Sequence, residues 1–254
     1  MSDLKKFSNE CKNRINRYKL NSTIFKRAMN FFEISHQEKY TYNFQWLGMP
    51  IIQFPQDMLV TQEIIYETRP NIIIETGVAR GGSLIMYSSL LSLIHSNYCV
   101  IGIDIDIRKH NRNKIKKHKF SKNVELVQGH SNNEVTLDKL KKLLKSIKIK
   151  NKKIMVCLDS NHTHEHVLKE LEAYKEFVSK NCYLVVFDTT INLLSKNKIA
   201  NLTKNYHFKP FGKESNPHSA VKKFLKTNKN FKIDKTRHQK AVITNCYEGF
   251  LKKI

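Results

Sequence analysis

The sequence predicts an α/β domain: a seven-stranded, mostly parallel sheet with helices on both faces, preceded by an N-terminal helical extension. Three observations predict it. Short runs rich in β-branched or other apolar residues recur at 72–74, 98–103, 153–158 and 182–187, and they are apolar on both faces, as strands covered by helices must be. Helical patterns alternate with them, the order that builds a parallel sheet. Four such strands end on an acid: Glu75, Asp104, Asp159 and Asp188. The carboxyl ends of parallel strands lie on one edge, where ligands bind, so these four acids are expected on one rim.

In chain order, residues 1–45 are polar and rich in Lys and Asn, with scattered aromatics. They suggest one or two helices, serving as a lid, a subunit contact or a plain extension. Residues 46–254 form the main domain. The stretch 46–57 holds two prolines and a glycine and suggests an ordered loop. Asp57 is placed to cap a helix over 58–68, and Pro70 to end it. Trp46, the only tryptophan, fits either core packing or a substrate contact.

The chain is organised around residues 71–83. Residues 72–74 form a strand, Gly77, Gly81 and Gly82 a tight turn that admits a ligand close to the backbone, and Ser83 opens a helix whose free N–H groups attract polar ligands. A second strand ends at Asp104, a little over twenty residues after Gly81, near the offset at which an acid meets a ribose. The glycines do not follow G-x-G-x-x-G. They match the acid-x-G-x-x-x-G turn used by S-adenosylmethionine enzymes, with Glu75 as the acid and Ala79 within the turn. A βα turn without ligand is the plain alternative.

Residues 108–118 suggest a basic helix and 124–128 a third strand, whose following turn, Gly129, His130 and Ser131, belongs at the same edge. A helix over 136–147 and the strand 153–159 come next. Ser160 to His166 then lead into a helix over 165–179, and a fifth strand ends at Asp188. Residues 189–218 suggest an excursion and 220–226 a helix. A final strand pair is expected at 231–234 and 241–244, with 247–251 closing beside it.

The chain has 254 residues and a formal charge of +23. Only eight of the 45 basic residues are Arg, the side chain that recognises phosphates and bases bidentately. Diffuse lysine without an arginine stripe or stacking aromatics speaks against stable nucleic-acid binding. It favours anionic substrates, such as nucleotide-linked sugars or phosphorylated glycans. The five cysteines lack a C-x-x-C and suggest free thiols in a reducing compartment. No run approaches eighteen apolar residues, so no transmembrane helix is expected. The start of the chain lacks a signal-peptide core, and the expected location is the cytoplasm.

His162 lies just past a strand end and suits a general base near neutral pH. Asp159 and Asp188, on adjacent strand ends, could hold a hard cation such as Mg²⁺. His162, His164 and His166 also invite a zinc reading, but they do not share one helix face and no cysteine lies nearby. Two histidines with Asp159 would compose a non-haem iron site. For His164 and His166, polar positions opening a helix are the plain reading.

Five segments carry a resemblance: 46–57 (W-L-G-x-P-x-x-Q-x-P-x-D), 74–83 (I-E-T-G-x-A-x-G-G-S), 102–112, 158–168 (L-D-S-N-H-T-H-E-H-V-L) and 184–189. Together with Asn216, Pro217, Ala220 and Val221, they resemble the cephalosporin hydroxylase family over roughly residues 45–254. Despite its name, that family resembles S-adenosylmethionine-dependent O-methyltransferases, with macrolide-sugar and, more distantly, catechol O-methyltransferases among its relatives. The resemblance implies a Rossmann-like class I methyltransferase fold, transfer to a sugar hydroxyl in surface polysaccharide or nucleotide-sugar tailoring, and a homo-oligomer. It implies cofactor contacts at Glu75, Gly77, Ala79, Gly81, Ser83, Asp104, Gly129, His130, Ser131 and Asp159. It implies a base at His162 and a metal carboxylate at Asp159. Metal-using relatives carry two acids or amides after the fifth strand, whereas here Phe187 precedes Asp188. The alternatives are an iron-dependent small-molecule hydroxylase and an RNA methyltransferase or RNA-binding protein.

Overall fold

The computed structural model describes residues 2–20, 22–202 and 211–254. Helices α1 (Asp3–Ile15) and α2 (Thr23–Gln37) form the extension. A small hairpin, β1 (Gln45–Trp46) and β2 (Met49–Pro50), leads to α3 (Pro55–Thr68). Then β3 (Ile72–Thr76), α4 (Gly82–Ile94), β4 (Cys99–Asp104), α5 (Lys109–Lys116) and β5 (Val124–Gln128) follow. The second half runs through α6 (Glu134–Ser146), β6 (Ile154–Leu158), α7 (His164–Tyr174) and β7 (Tyr183–Val186). It closes with α8 (Lys196–Leu202), α9 (Pro217–Thr227), β8 (Phe231–Ile233), α10 (Lys235–Ala241) and β9 (Phe250–Lys253).

The seven-stranded sheet has the order β5-β4-β3-β6-β7-β9-β8. The first five of these strands are mutually parallel, and β9 runs antiparallel to both β7 and β8. The strand reversal falls between β3 and β6, the crevice where such sheets take ligands. Successive β3 residues feed opposite layers. Ile73 joins Leu84, Ile85 and Ile64 on one face, while Ile72 and Ile74 join Leu140, Leu171 and Phe224 on the other. All three isoleucines are fully buried, which explains why the sequence there shows no alternation.

Two local expectations are corrected. Asp57 does not cap α3. Pro55 supplies the first helical residue and Phe54 the cap, since proline's fixed φ suits that position. Asp57, inside the first turn, is fully buried and accepts hydrogen bonds from the Thr244 hydroxyl and from Asn245 N at 2.7 Å. Residues 241–244 are not a strand. Asp234 accepts a hydrogen bond from Thr236 N at 3.1 Å and starts α10, so the partner of β8 is β9. The excursion over 189–218 begins with a 3₁₀ turn at Thr189–Leu193 and α8; its residues 203–210 lie outside the described residues.

Trp46, partly buried, packs against the core and donates Nε1 to Ser89 Oγ at 2.9 Å. All five cysteines are free thiols. Among the described residues no helix is long and apolar enough to cross a membrane.

Candidate active site

The turn after β3 is closed by atoms from its neighbours. Gly77 has φ +91°, and a Cβ there would lie 2.0 Å from the carbonyl oxygen of Asp159. A Cβ on Gly82 would lie 2.2 Å from the carbonyl oxygen of Pro50. Only glycine lets the backbone run this close. Asp104, ending β4, reaches across the turn: its Oδ2 accepts from Val78 N at 2.8 Å and Ala79 N at 3.3 Å, its Oδ1 from Asp106 N at 3.0 Å. Asn111 Nδ2 donates to Ala79 O at 2.9 Å. A shallow cleft is lined by Gly77, Ala79, Gly81, Ser83 and Asp159 on one side and by Ile51, Ile52 and Gln53 on the other.

Glu75 lies beneath this turn rather than in the cleft. It is 1% exposed, and its two oxygens accept from Ser83 Oγ and Tyr87 Oη. Burial raises its carboxyl from the ordinary 4.5 to about 8, against the opposing pull of those two hydrogen bonds. Ser83 is therefore tied to Glu75. Gly129 and the exposed His130 follow β5 at the same edge, where Gly129 N donates to Asp104 O at 2.9 Å. Ser131 is 5% exposed and turns inward: its Oγ lies 3.1 Å from His166 Nε2.

The ends of β6 and β7 carry the reactive groups. Asp159, His162 and Asp188 each offer a ligand atom, all within 4.8 Å of one another. His162 Nδ1 lies 3.2 Å from Asp188 Oδ2. Desolvation and then repulsion by Asp188 hold the Asp159 carboxyl well above its ordinary value. The two crowded carboxylates form a donor pair that a divalent cation fits, because its charge would relieve that repulsion. Phe187 is buried in the core layer, and Asp188 follows it beyond the end of β7 in the left-handed conformation, φ +56°.

Of the predicted rim, Asp104, Asp159 and Asp188 stand at strand ends on the same edge, with Glu75 one residue inside. Gly77 abuts Asp159, so the glycine turn and the Asp159–His162–Asp188 cluster are contiguous. His164 and His166 are the first and third residues of α7, and they do not converge with His162. His164 Nδ1 sits 2.7 Å from Ser219 Oγ. His166 ties the β5 and β6 turns together through Ser131, Asn132 and Ser160, with Glu170 beneath.

Two residues of the site were not singled out from the sequence, and a third, Asp57, was read only as a helix cap. Gln53 lines the cleft, is 3% exposed, and has a buried Oε1 without a hydrogen-bond partner. Asn111 braces the turn, and Asp57 secures the segment at Thr244 and Asn245. Gln53 and Asp57 fall within the W-L-G-x-P-x-x-Q-x-P-x-D segment, which offered a signal. Asn111 falls within the 102–112 segment, which offered the same kind of signal.

The sheet order, the glycine turn and the acid at the end of β4 define a Rossmann-like class I methyltransferase fold. The chain belongs to the rhamnosyl O-methyltransferase/CmcI family, whose sequence profile matches residues 38–254. This bears out the resemblance carried by the sequence motifs. A rhamnosyl O-methyltransferase of Mycobacterium bovis is 28% identical over 152 residues, 58% of this chain and 57% of that protein. Its counterpart in Mycobacterium leprae is 25% identical over 150 residues, 58% of this chain and 61% of that protein. The chain thus spans little more than half the length of these curated relatives. A CmcI structure designated Mg-SAM superposes with a TM-score of 0.54 at 19% identity, covering 84% of this chain and 77% of that one. An O-methyltransferase of Staphylococcus aureus, described as a putative caffeoyl-CoA enzyme, gives 0.50 at 13% identity, covering 90% of each chain. At these identities the likeness is one of fold. The relatives' names carry O-methyl transfer; the hydroxylase and RNA-directed alternatives are not supported.

Proposed function

We propose that this protein is an S-adenosylmethionine-dependent O-methyltransferase acting on a sugar hydroxyl, with Mg²⁺ assistance at Asp159 and Asp188. The observation that carries the proposal is the abutment of the Gly77 turn on Asp159, which sets a nucleoside-type turn against a histidine–carboxylate pair. The family membership and the names of the curated relatives support a saccharide acceptor. In this reading the turn residues Gly77, Ala79, Gly81 and Ser83, with Glu75 beneath them, hold the methionine end of the donor. Asp104 meets the ribose, and Gly129, His130 and Ser131 border the base. When bound, the donor supplies an electrophilic sulfonium methyl, and the cation supplies Lewis acidity toward the acceptor hydroxyl.

His162 supplies the base. Its Nδ1 faces Asp188, so the neutral ring donates there and keeps the Nε2 lone pair for the acceptor hydroxyl. Asp188 fixes the ring orientation and stabilises the imidazolium formed when that proton arrives. Gln53 and the turn between Pro50 and Gln53 close the donor cleft from the other wall and exclude water. The acceptor form is a nucleotide sugar or glycan precursor, the assembly a homo-oligomer and the location the cytoplasm, for which the five free thiols speak.

Calorimetry with S-adenosylmethionine tests the donor site. Wild type binds, and Asp104→Ala binds at least about tenfold more weakly, the order expected for losing a charged acceptor. Equal affinities would remove the ribose role. Mass spectrometry of rhamnosides incubated with protein, donor and Mg²⁺ then tests the reaction by a single added methyl group.

A further inference from the structure

A cavity of about 350 Å³ lies at the opposite end of the sheet edge from the glycine turn. Tyr18, Lys19 and Phe25 form its N-terminal wall, and Lys235, His238 and Tyr247 face them. Topology places it on the reactive edge. Strand β9 is antiparallel to β7, so the Tyr247 turn that precedes β9 meets the end of β7, where Tyr247 N donates to Thr190 Oγ1 at 3.0 Å. Strand β8 is antiparallel to β9, so the start of α10 lies on that edge too. Two to three strand spacings separate this cavity from Asp159, about 10–15 Å.

Its chemistry is specific. Tyr247 packs against Phe25 (ring centroids 6.1 Å apart) and against His238 (4.7 Å), giving flat apolar faces of the kind that stack on the C–H face of a pyranose. His238 Nδ1 accepts a hydrogen bond from Glu248 N at 3.4 Å, which leaves the proton of the neutral ring on Nε2. The one lining carboxylate, Glu248, is already paired with Lys222 at 2.7 Å and lies 2.9 Å from His218 Nε2. Lys19 and Lys235 are exposed and occur in no ion pair among the described residues, so the local field is positive. The size suits a small polar ligand.

We infer that this cavity is a second acceptor subsite, taking a saccharide unit that bears a phosphoryl or carboxylate group and is joined to the sugar methylated beside His162. The inference rests on the sugar O-methyltransferase reading and names its substrate class: an extended, anionic saccharide. Two sources share that chemistry, a nucleoside diphosphate-linked sugar and an acidic glycan.

Saturation-transfer NMR and calorimetry on the full chain test it without requiring turnover. The probes are nucleoside diphosphate-linked rhamnose, a glucuronosyl-rhamnose disaccharide and neutral methyl rhamnoside. At least one anionic probe binds more tightly than the neutral one, and which one identifies the source. Lys19→Gln/Lys235→Gln weakens that binding about five- to tenfold, the scale of two exposed charge contacts. The double Lys→Arg variant restores it, and affinities for methyl rhamnoside and S-adenosylmethionine stay unchanged. Equal binding of charged and neutral probes, or no effect of the double variant, overturns the inference. Failure of wild type to bind S-adenosylmethionine counts against the reaction instead, and leaves the saccharide measurement standing.

Discussion

The two ends of the reactive edge are built differently. At the β3–β4 end, one short stretch of chain does almost everything: strand, turn, helix and acid follow in sequence, and Asp104 closes the turn through Val78 and Ala79. At the β7–β9 end the walls come from distant segments. Asp57 bonds to Thr244 and Asn245 across 187 and 188 residues. Phe32 of α2 stacks on Phe54 with centroids 5.7 Å apart, and both bury against Ile191, Leu194 and Ile199. In the proposed reading the donor end is thus a largely local device closed by the Asp104 and Glu75 carboxyls, and the acceptor end a tertiary assembly of segments far apart in the chain. The first can stay constant while the second is remodelled for new acceptors.

That contrast predicts separable losses. The largest is catalytic. His162→Ala lowers kcat by about 100- to 10,000-fold, the usual value of a positioned base, with the S-adenosylmethionine affinity unchanged. A parallel loss of donor affinity would mean that the two ends are not independent. Next in size is Phe32→Ala, which removes a fully buried ring and costs about 3–5 kcal/mol of stability. In the protein that remains folded, donor affinity holds while acceptor KM rises. Unfolding curves and initial rates measure both. Gly77→Ala is smaller in stability, about 1–3 kcal/mol for the left-handed conformation, but it acts at the donor end. With a Cβ directed at Asp159 O, the turn must move, and donor binding falls while saccharide binding persists.

Legibility in the sequence follows the same division. The five parallel strands, the helices between them and the acidic rim were readable because each rests on local pattern: continuous apolar runs, glycines, acids at strand ends. Residues 124–128 were read as the strand that forms there. Asp57 was misread because a carboxylate near a helix start has a common local use, whereas its actual partners lie far along the chain. Residues 241–244 were misread because Ala-Val-Ile-Thr has β propensity, which the Asp234 cap and the antiparallel pairing of β9 override. Ser131 was placed correctly in the chain, but its inward hydrogen bond to His166 required knowing that α7 passes above it.

The finest test of the comparison is electrostatic, since a carboxyl with a raised pKa is buried beneath each end, apart from Asp159 of the central cluster. Burial lifts Glu75 at the donor end from 4.5 to about 8, and Asp57 at the acceptor end from 3.8 to about 7. In both windows the folded state holds a proton that the unfolded chain has released, so stability falls as pH rises through them. Each group contributes a slope of at most about 1.4 kcal/mol per pH unit. Glu75→Gln removes the donor-end share: its urea-unfolding free energy falls less steeply than wild type from pH 5 to 8, and the difference persists above pH 7. Asp57→Asn removes the acceptor-end share, and its difference ends near pH 7. Glu75 lies beneath the donor turn, so adding S-adenosylmethionine, whose sulfonium and ammonium groups favour the ionised carboxylate, flattens the wild-type profile and leaves that of Glu75→Gln unmoved. If the donor flattened both profiles equally, the charge coupling would belong to the acceptor end, and the division drawn between the two ends would fail.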